Sequence, residues 1–202
     1  MDLIYFLLWQ ALILLKIVNP SFEINYEYVF EDEDVFSKCQ DKPPGFLDVD
    51  KLFDLSLMHF EMHPDGLHIT GNLTTWWDVE PTDRIEGSLN ILHLDRGTWQ
   101  PTILNLKVRD FCKIFYDPKQ FWYTSFAKYI INNEDALTKC FNNKGTVYYL
   151  EPYIMKAYAG TGMTMPSGRN RMILTLVAVD ENNVKRPNGI CTEIMGEFVK
   201  VK

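Results

Sequence analysis

Residues 66–80 read GLHITGNLTTWWDVE, and the way this stretch is laid out decides the class of the fold. Asn72-Leu73-Thr74 is an acceptor signal for N-linked sugar, which belongs in water. Two adjacent tryptophans follow at once, Trp76 and Trp77. An extended chain resolves the conflict, because successive side chains of a strand point to opposite faces. Leu67, Ile69, Leu73, Trp77 and Val79 then share one face, and His68, Thr70, Asn72, Thr74, Trp76 and Asp78 share the other. On this reading Asn72 points outward, Trp77 points inward, and Trp76 lies on the outer or rim side.

The same period of two continues in both directions. Upstream, Ile24, Tyr26, Tyr28 and Phe30 alternate with Glu23, Asn25 and Glu27; past Pro43-Pro44-Gly45, Phe53, Leu55 and Leu57 alternate with Asp54 and Ser56. Pro64-Asp65-Gly66 is a turn that folds the chain back into the opening stretch. Downstream, Ile85, Gly87, Leu89 and Ile91 oppose Arg84, Glu86, Ser88 and Asn90. Asp95-Arg96-Gly97 turns the chain again, and Leu104, Leu106 and Val108 oppose Asn105, Lys107 and Arg109. Met172 to Val179 is apolar on both faces, the mark of a central or covered strand. After a polar loop from Asp180 to Gly189, Thr192, Ile194, Gly196 and Phe198 return against Glu193 and Glu197. So many strands joined by turns predict a mainly β protein, an antiparallel sandwich or cup.

Residues 110–141, DFCKIFYDPKQFWYTSFAKYIINNEDALTKCF, break the rhythm. Asp117-Pro118 reads as an N-cap followed by proline at the first helical position. Phe121/Trp122, Ser125/Phe126 and Tyr129/Ile130 then recur at helical spacing, which predicts one helical segment over 117–131 lying across the sheets. An aromatic face of this kind is more often core than ligand contact.

The N-terminus, MDLIYFLLWQALILLKIVNPS, is apolar from Leu3 to Leu15 apart from Gln10. That run is shorter than the about 20 residues a bilayer span requires, and it reads as the apolar region of a secretory signal peptide over 1–21. Asp2 stands where such peptides carry a basic residue, and Asn19-Pro20-Ser21 is not the usual small-residue cleavage site; a buried N-terminal helix or an uncleaved anchor is the alternative. Residues 22–202 then form a single domain, with no repeat, low-complexity stretch or linker dividing them. The formal charge is -7, and an acidic chain without a basic run argues against nucleic acid and against anionic membrane as main partners. Four cysteines, Cys39, Cys112, Cys140 and Cys191, are widely spaced without a CxxC pair. In an exported chain they imply two disulfides, with three possible connectivities.

Signatures of catalysis are absent: there is no G-x-S-x-G elbow, P-loop, H-E-x-x-H or dinucleotide fingerprint. His59 and His63 stand about 13 Å apart on an extended chain, too far for one zinc, and His68 falls past the turn. The acidic run Glu31-Asp32-Glu33-Asp34 lacks the glycine and spacing of a calcium loop. No enzyme activity, cofactor or metal is expected.

What remains is an exported, disulfide-stapled, aromatic-rich β domain. With Cys39 shortly after the first strand, Cys191 in the last, Cys112 and Cys140 bracketing the helical segment, and a strand pair around Pro64-Asp65-Gly66, the chain resembles the insect chemosensory protein B (CheB) family over Phe22 to Lys202. That family is itself similar to the lysosomal ganglioside activator and its lipid-recognition relatives. The resemblance implies a β-cup, two antiparallel sheets splayed around an apolar cavity that holds lipid. It also implies the pairs Cys39–Cys191 and Cys112–Cys140. The lysosomal activator carries further cysteines in its rim loops, which this chain lacks. Leu67, Ile69, Leu73, Trp77, Leu89 and Ile91 are the expected lining, with Trp122 and Phe126 as rim aromatics that cover the mouth or let the carrier approach a membrane peripherally. The implied role is gustatory detection of lipid-like contact pheromones, the ligand being carried or presented to a chemosensory receptor or channel. Two other readings stay open: an interaction module using Trp76, Trp99 and the acidic run without lipid cargo, and an enzyme of unfamiliar type using His93 with a carboxylate.

Overall fold

The computed structural model describes residues 24–132, 136, 138–161 and 163–201. The expected signal peptide lies outside the described residues. Two antiparallel sheets make the protein mainly β. The larger contains β1 (Ile24–Phe30), β2 (Ser37–Lys38), β6 (Arg84–Asp95), β7 (Thr98–Val108), β9 (Ala157–Thr161), β10 (Arg169–Val179) and β11 (Ile190–Lys200). Its order is β7-β6-β10-β11-β1-β9, with β2 added to β11, and it curls into a half-barrel. The smaller sheet contains β3 (Phe53–Asp54), β4 (Met58–His63), β5 (Gly66–Thr75) and β8 (Val147–Met155), with β5 paired to all three others.

Alternation is the cause of the layering. Tyr26, Tyr28 and Phe30 of β1 are buried, and so are Leu67, Ile69 and Leu73 of β5. The strand with apolar residues on both faces, β10, lies between β6 and β11 in the middle of the larger sheet. The β6–β7 hairpin turns at Arg96 and Gly97, both with positive φ (47° and 80°), the geometry whose twist suits a two-residue hairpin. Gly71 of β5 has φ +112°, and a Cβ there would collide with the carbonyl oxygen of Leu57, so only glycine lets the two chains approach.

Three expectations need correction. Phe53, Leu55 and Leu57 do not continue one strand: Ser56 N–H donates to Asp54 Oδ1 (3.0 Å) and Met58 N–H to Leu55 O (2.9 Å). The chain turns there and leaves Leu57 60% exposed. The helical segment is also shorter than its spacing suggested. It is α2 (Phe121–Ser125), ended by Phe126 at φ -145°, ψ -63°, followed by one 3-10 turn over Ala127–Tyr129. Asp117 is not its N-cap, which is Gln120; the Asp117 carboxylate instead accepts from Lys119 N–H (3.0 Å) and Gln120 Nε2 (2.9 Å). Finally, an earlier helix, α1 (Phe111–Ile114), was not expected, although Asp110 caps it by accepting from Lys113 N–H.

Both disulfides of the implied pairing are formed, Cys39–Cys191 and Cys112–Cys140. The first fastens the loop after β2 to β11, and the second fastens α1 to the segment before β8. α2 touches β9 on one side, while Phe121 and Trp122 also face Gly87, Leu106 and Val108 of β6 and β7. It therefore bridges the gap between the two edges of the half-barrel. Among the described residues no helix is long and apolar enough to cross a membrane.

Candidate ligand cavity

Where the half-barrel and the smaller sheet diverge, their inward rows enclose a cavity of about 180 Å³. β10 supplies Met172, Leu174 and Leu176 as successive inward positions, and β11 supplies Ile190, Thr192 and Ile194. Opposite them stand Ile69 and Leu73 of β5, with Tyr153 and Met155 of β8. The helical connection closes the remaining side with aromatic rings: Phe111, Phe115, Phe121, Trp122 and Phe126, backed by Phe141. Those rings pack on one another; the centroids of Phe111 and Phe115 are 5.4 Å apart, and those of Phe115 and Phe141 4.8 Å. Edge-on and tilted contacts of this kind hold such a wall in place.

Among the described residues none that lines the cavity is charged. The Ser125 hydroxyl donates to Phe121 O (2.8 Å) and the Thr192 hydroxyl to Ser37 O (3.0 Å), so both are already bonded to backbone. Tyr153 stacks on Tyr129 with centroids 3.8 Å apart. Burial first, and then the neighbouring Tyr129, pushes its phenol above the usual tyrosine range, so it faces the cavity as a neutral group. A cavity more than ten times the roughly 10–15 Å³ that one water occupies, lined this way, offers water few partners and favours hydrocarbon.

The expected lining divides. Ile69, Leu73, Trp122 and Phe126 face the cavity. Leu89 faces a second, smaller chamber beside it. Leu67, Trp77 and Ile91 are inward and buried but belong to the packed core. For Trp77 the reason is its position beyond the end of β5, where its indole N–H donates to Asn188 O (2.9 Å) and the ring fills the space under that loop. The aromatic wall of Phe111, Phe115 and Phe141 escaped the sequence reading; the available signal was Asp110 standing just before an apolar run, an N-cap pattern.

Outside the cavity, Asn72 is partly exposed on the outer face of β5, opposite Tyr149. The histidines set apart by the turn come together: His63 and His68 have ring centroids 4.2 Å apart, and His68 Nε2 lies 2.8 Å from Asp65 Oδ1. Among the described residues no three His, Cys, Asp or Glu side chains converge as a metal site. His93 stands opposite Asn170 of β10, and its Nδ1 has no hydrogen-bond partner among the described residues.

No protein-family model matches the chain, and no curated protein is significantly similar to it.

Proposed function

We propose that this protein is a secreted carrier of an apolar, chain-like lipid. The observation that carries the reading is the cavity itself, an uncharged space between two sheets whose walls hold alkyl and aromatic groups from every neighbouring element. Hydrocarbon moved into it leaves water with a gain of about 0.8 kcal/mol per buried CH₂. Few polar contacts are then needed for tight binding. Two disulfides support export, since such bonds persist in oxidising compartments. The resemblance to the chemosensory protein B family supplies the physiological part: the cargo is a lipid-like contact pheromone, presented to a taste receptor or channel.

Native mass spectrometry of the protein secreted from insect cells, followed by solvent extraction, tests this. Equimolar lipid should accompany the wild type and be lost from Leu174→Trp, which fills the cavity without introducing charge. Empty protein that also rejects long-chain hydrocarbons and esters would overturn the carrier reading and leave a protein-binding module.

A further inference from the structure

The main cavity does not end in solid core on the side of β6 and β7. A second chamber of about 40 Å³ lies there, and the two share Phe111, Phe121, Trp122, Leu174 and Leu176 as a common wall. Beyond that wall the chamber is bounded by Leu89, Leu106 and Val108, and Leu106 is 41% exposed. Its two hydroxyls, on Ser88 and Thr175, are hydrogen-bonded to each other (2.6 Å). The second chamber is thus as apolar in effect as the first.

Trp122 is the member of the wall held by a directional bond. Its indole N–H donates to Ile114 O (3.0 Å), and its ring centroid lies 5.2 Å from that of Phe111 and 5.9 Å from that of Phe121. On the far side the chamber rests against Gly87, in the interior of β6. Glycine is not required there by conformation, because its φ is not positive. Nor is it required by crowding: a Cβ would meet Leu176, Phe111 and Val108 at 3.6, 3.7 and 3.9 Å, ordinary contact distances. A glycine without such reasons weakens a strand, and one use of such a position is to let a ligand approach the backbone closely.

We infer that Trp122 is the length stop of the carrier. The chain of the ligand fills the main cavity and ends against the indole, which shuts off the chamber floored by Gly87. The inference rests on the carrier reading, and the experiment separates the two.

Dissociation constants are measured for a homologous series of straight-chain fatty alcohols. With the wild type, each added methylene should tighten binding by about fourfold until the main cavity is full, after which affinity levels off. In Trp122→Ala the rise should continue to longer members of the series. Trp122→Phe, which keeps a ring in the partition, should level off as the wild type does. Gly87→Val in the Trp122→Ala background should refill the chamber and restore the wild-type ceiling. If Trp122→Ala proves unfolded by circular dichroism, Trp122→Leu shortens the partition with less loss of packing and carries the same expectation. Levelling at an unchanged length in the opened variant overturns the length stop. So does a ceiling that Gly87→Val fails to restore. A wild type that binds no alcohol of any length overturns the carrier reading instead.

Discussion

Arg171 of β10 and Glu193 of β11 face each other on the outer surface of the larger sheet, with Nη1 3.5 Å from Oε2 and each side chain only 2% exposed. An outward-facing pair is sealed here because the loop after Cys39 lies over it. Gln40 N–H donates to Glu193 Oε2 (3.3 Å), Arg171 donates to Gln40 Oε1 and to Asp41 Oδ2 (both 3.1 Å), and the Trp99 ring stands 4.8 Å from the guanidinium carbon. Removing one partner leaves a charge in a closed site. Arg171→Met should therefore lower stability by about 3 kcal/mol, because the Glu193 carboxylate then keeps the Gln40 N–H but loses its cation, whereas Arg171→Met with Glu193→Leu should recover most of that loss. Urea unfolding of the two variants checks it, and equal losses would show that the pair is not the cause.

The loop over that pair is fastened by Cys39–Cys191, which closes a separation of 152 residues, against 28 for Cys112–Cys140. In the chain-entropy treatment these loops contribute about 5 and about 3.6 kcal/mol. Replacing both cysteines of the first pair by alanine should lower the melting temperature more than replacing the second. The second replacement should act on the site instead, since Cys112 lies beside Phe111 in the cavity wall; faster loss of bound lipid from an otherwise folded protein is the expected sign.

Alternation made the inward rows of β1 and β5 readable, because period two is a local property of the backbone. Membership of the cavity is not local. Ile69, Leu73, Leu67 and Trp77 were read as one inward face, yet only the first two border open space. The difference depends on how far two sheets diverge at each position, and on a loop more than 100 residues away whose Asn188 carbonyl receives the Trp77 indole. The burial of Glu193 was hidden for the same reason: its own strand points it outward, and a distant loop covers it. Helical spacing from Phe121 to Ile130 failed differently. It reported the aromatic face correctly but could not show that Phe126 leaves the helix after five residues.

Trp77 offers a direct check on that division. Trp77→Phe removes an N–H donor from a fully buried site and leaves the Asn188 carbonyl without it. Stability should fall by about 1–3 kcal/mol. Lipid uptake should stay at the wild-type level, because the ring does not border the cavity. Thermal unfolding and uptake measured on one preparation decide the matter: loss of binding by a folded variant would return Trp77 to the site.

Buried phenols give the protein an alkaline limit. Burial pushes Tyr116 up to about 12 from an ordinary value of 10.0, and its hydroxyl donates to Ala136 O (2.8 Å). Burial also raises Tyr28, Tyr148 and Tyr153, more strongly still. A raised folded value means that above pH 10 the unfolded chain gives up these protons first. The stability they confer is complete below that pH and is lost as pH rises toward 12 and beyond. Phenolate absorbance from the buried tyrosines should therefore appear together with the loss of near-ultraviolet circular dichroism. Tyr116→Phe should move that transition to higher pH while giving up one hydrogen bond at neutral pH. Complete phenolate absorbance in a protein still folded would show that water reaches these rings and that the core around the cavity is looser than its packing indicates.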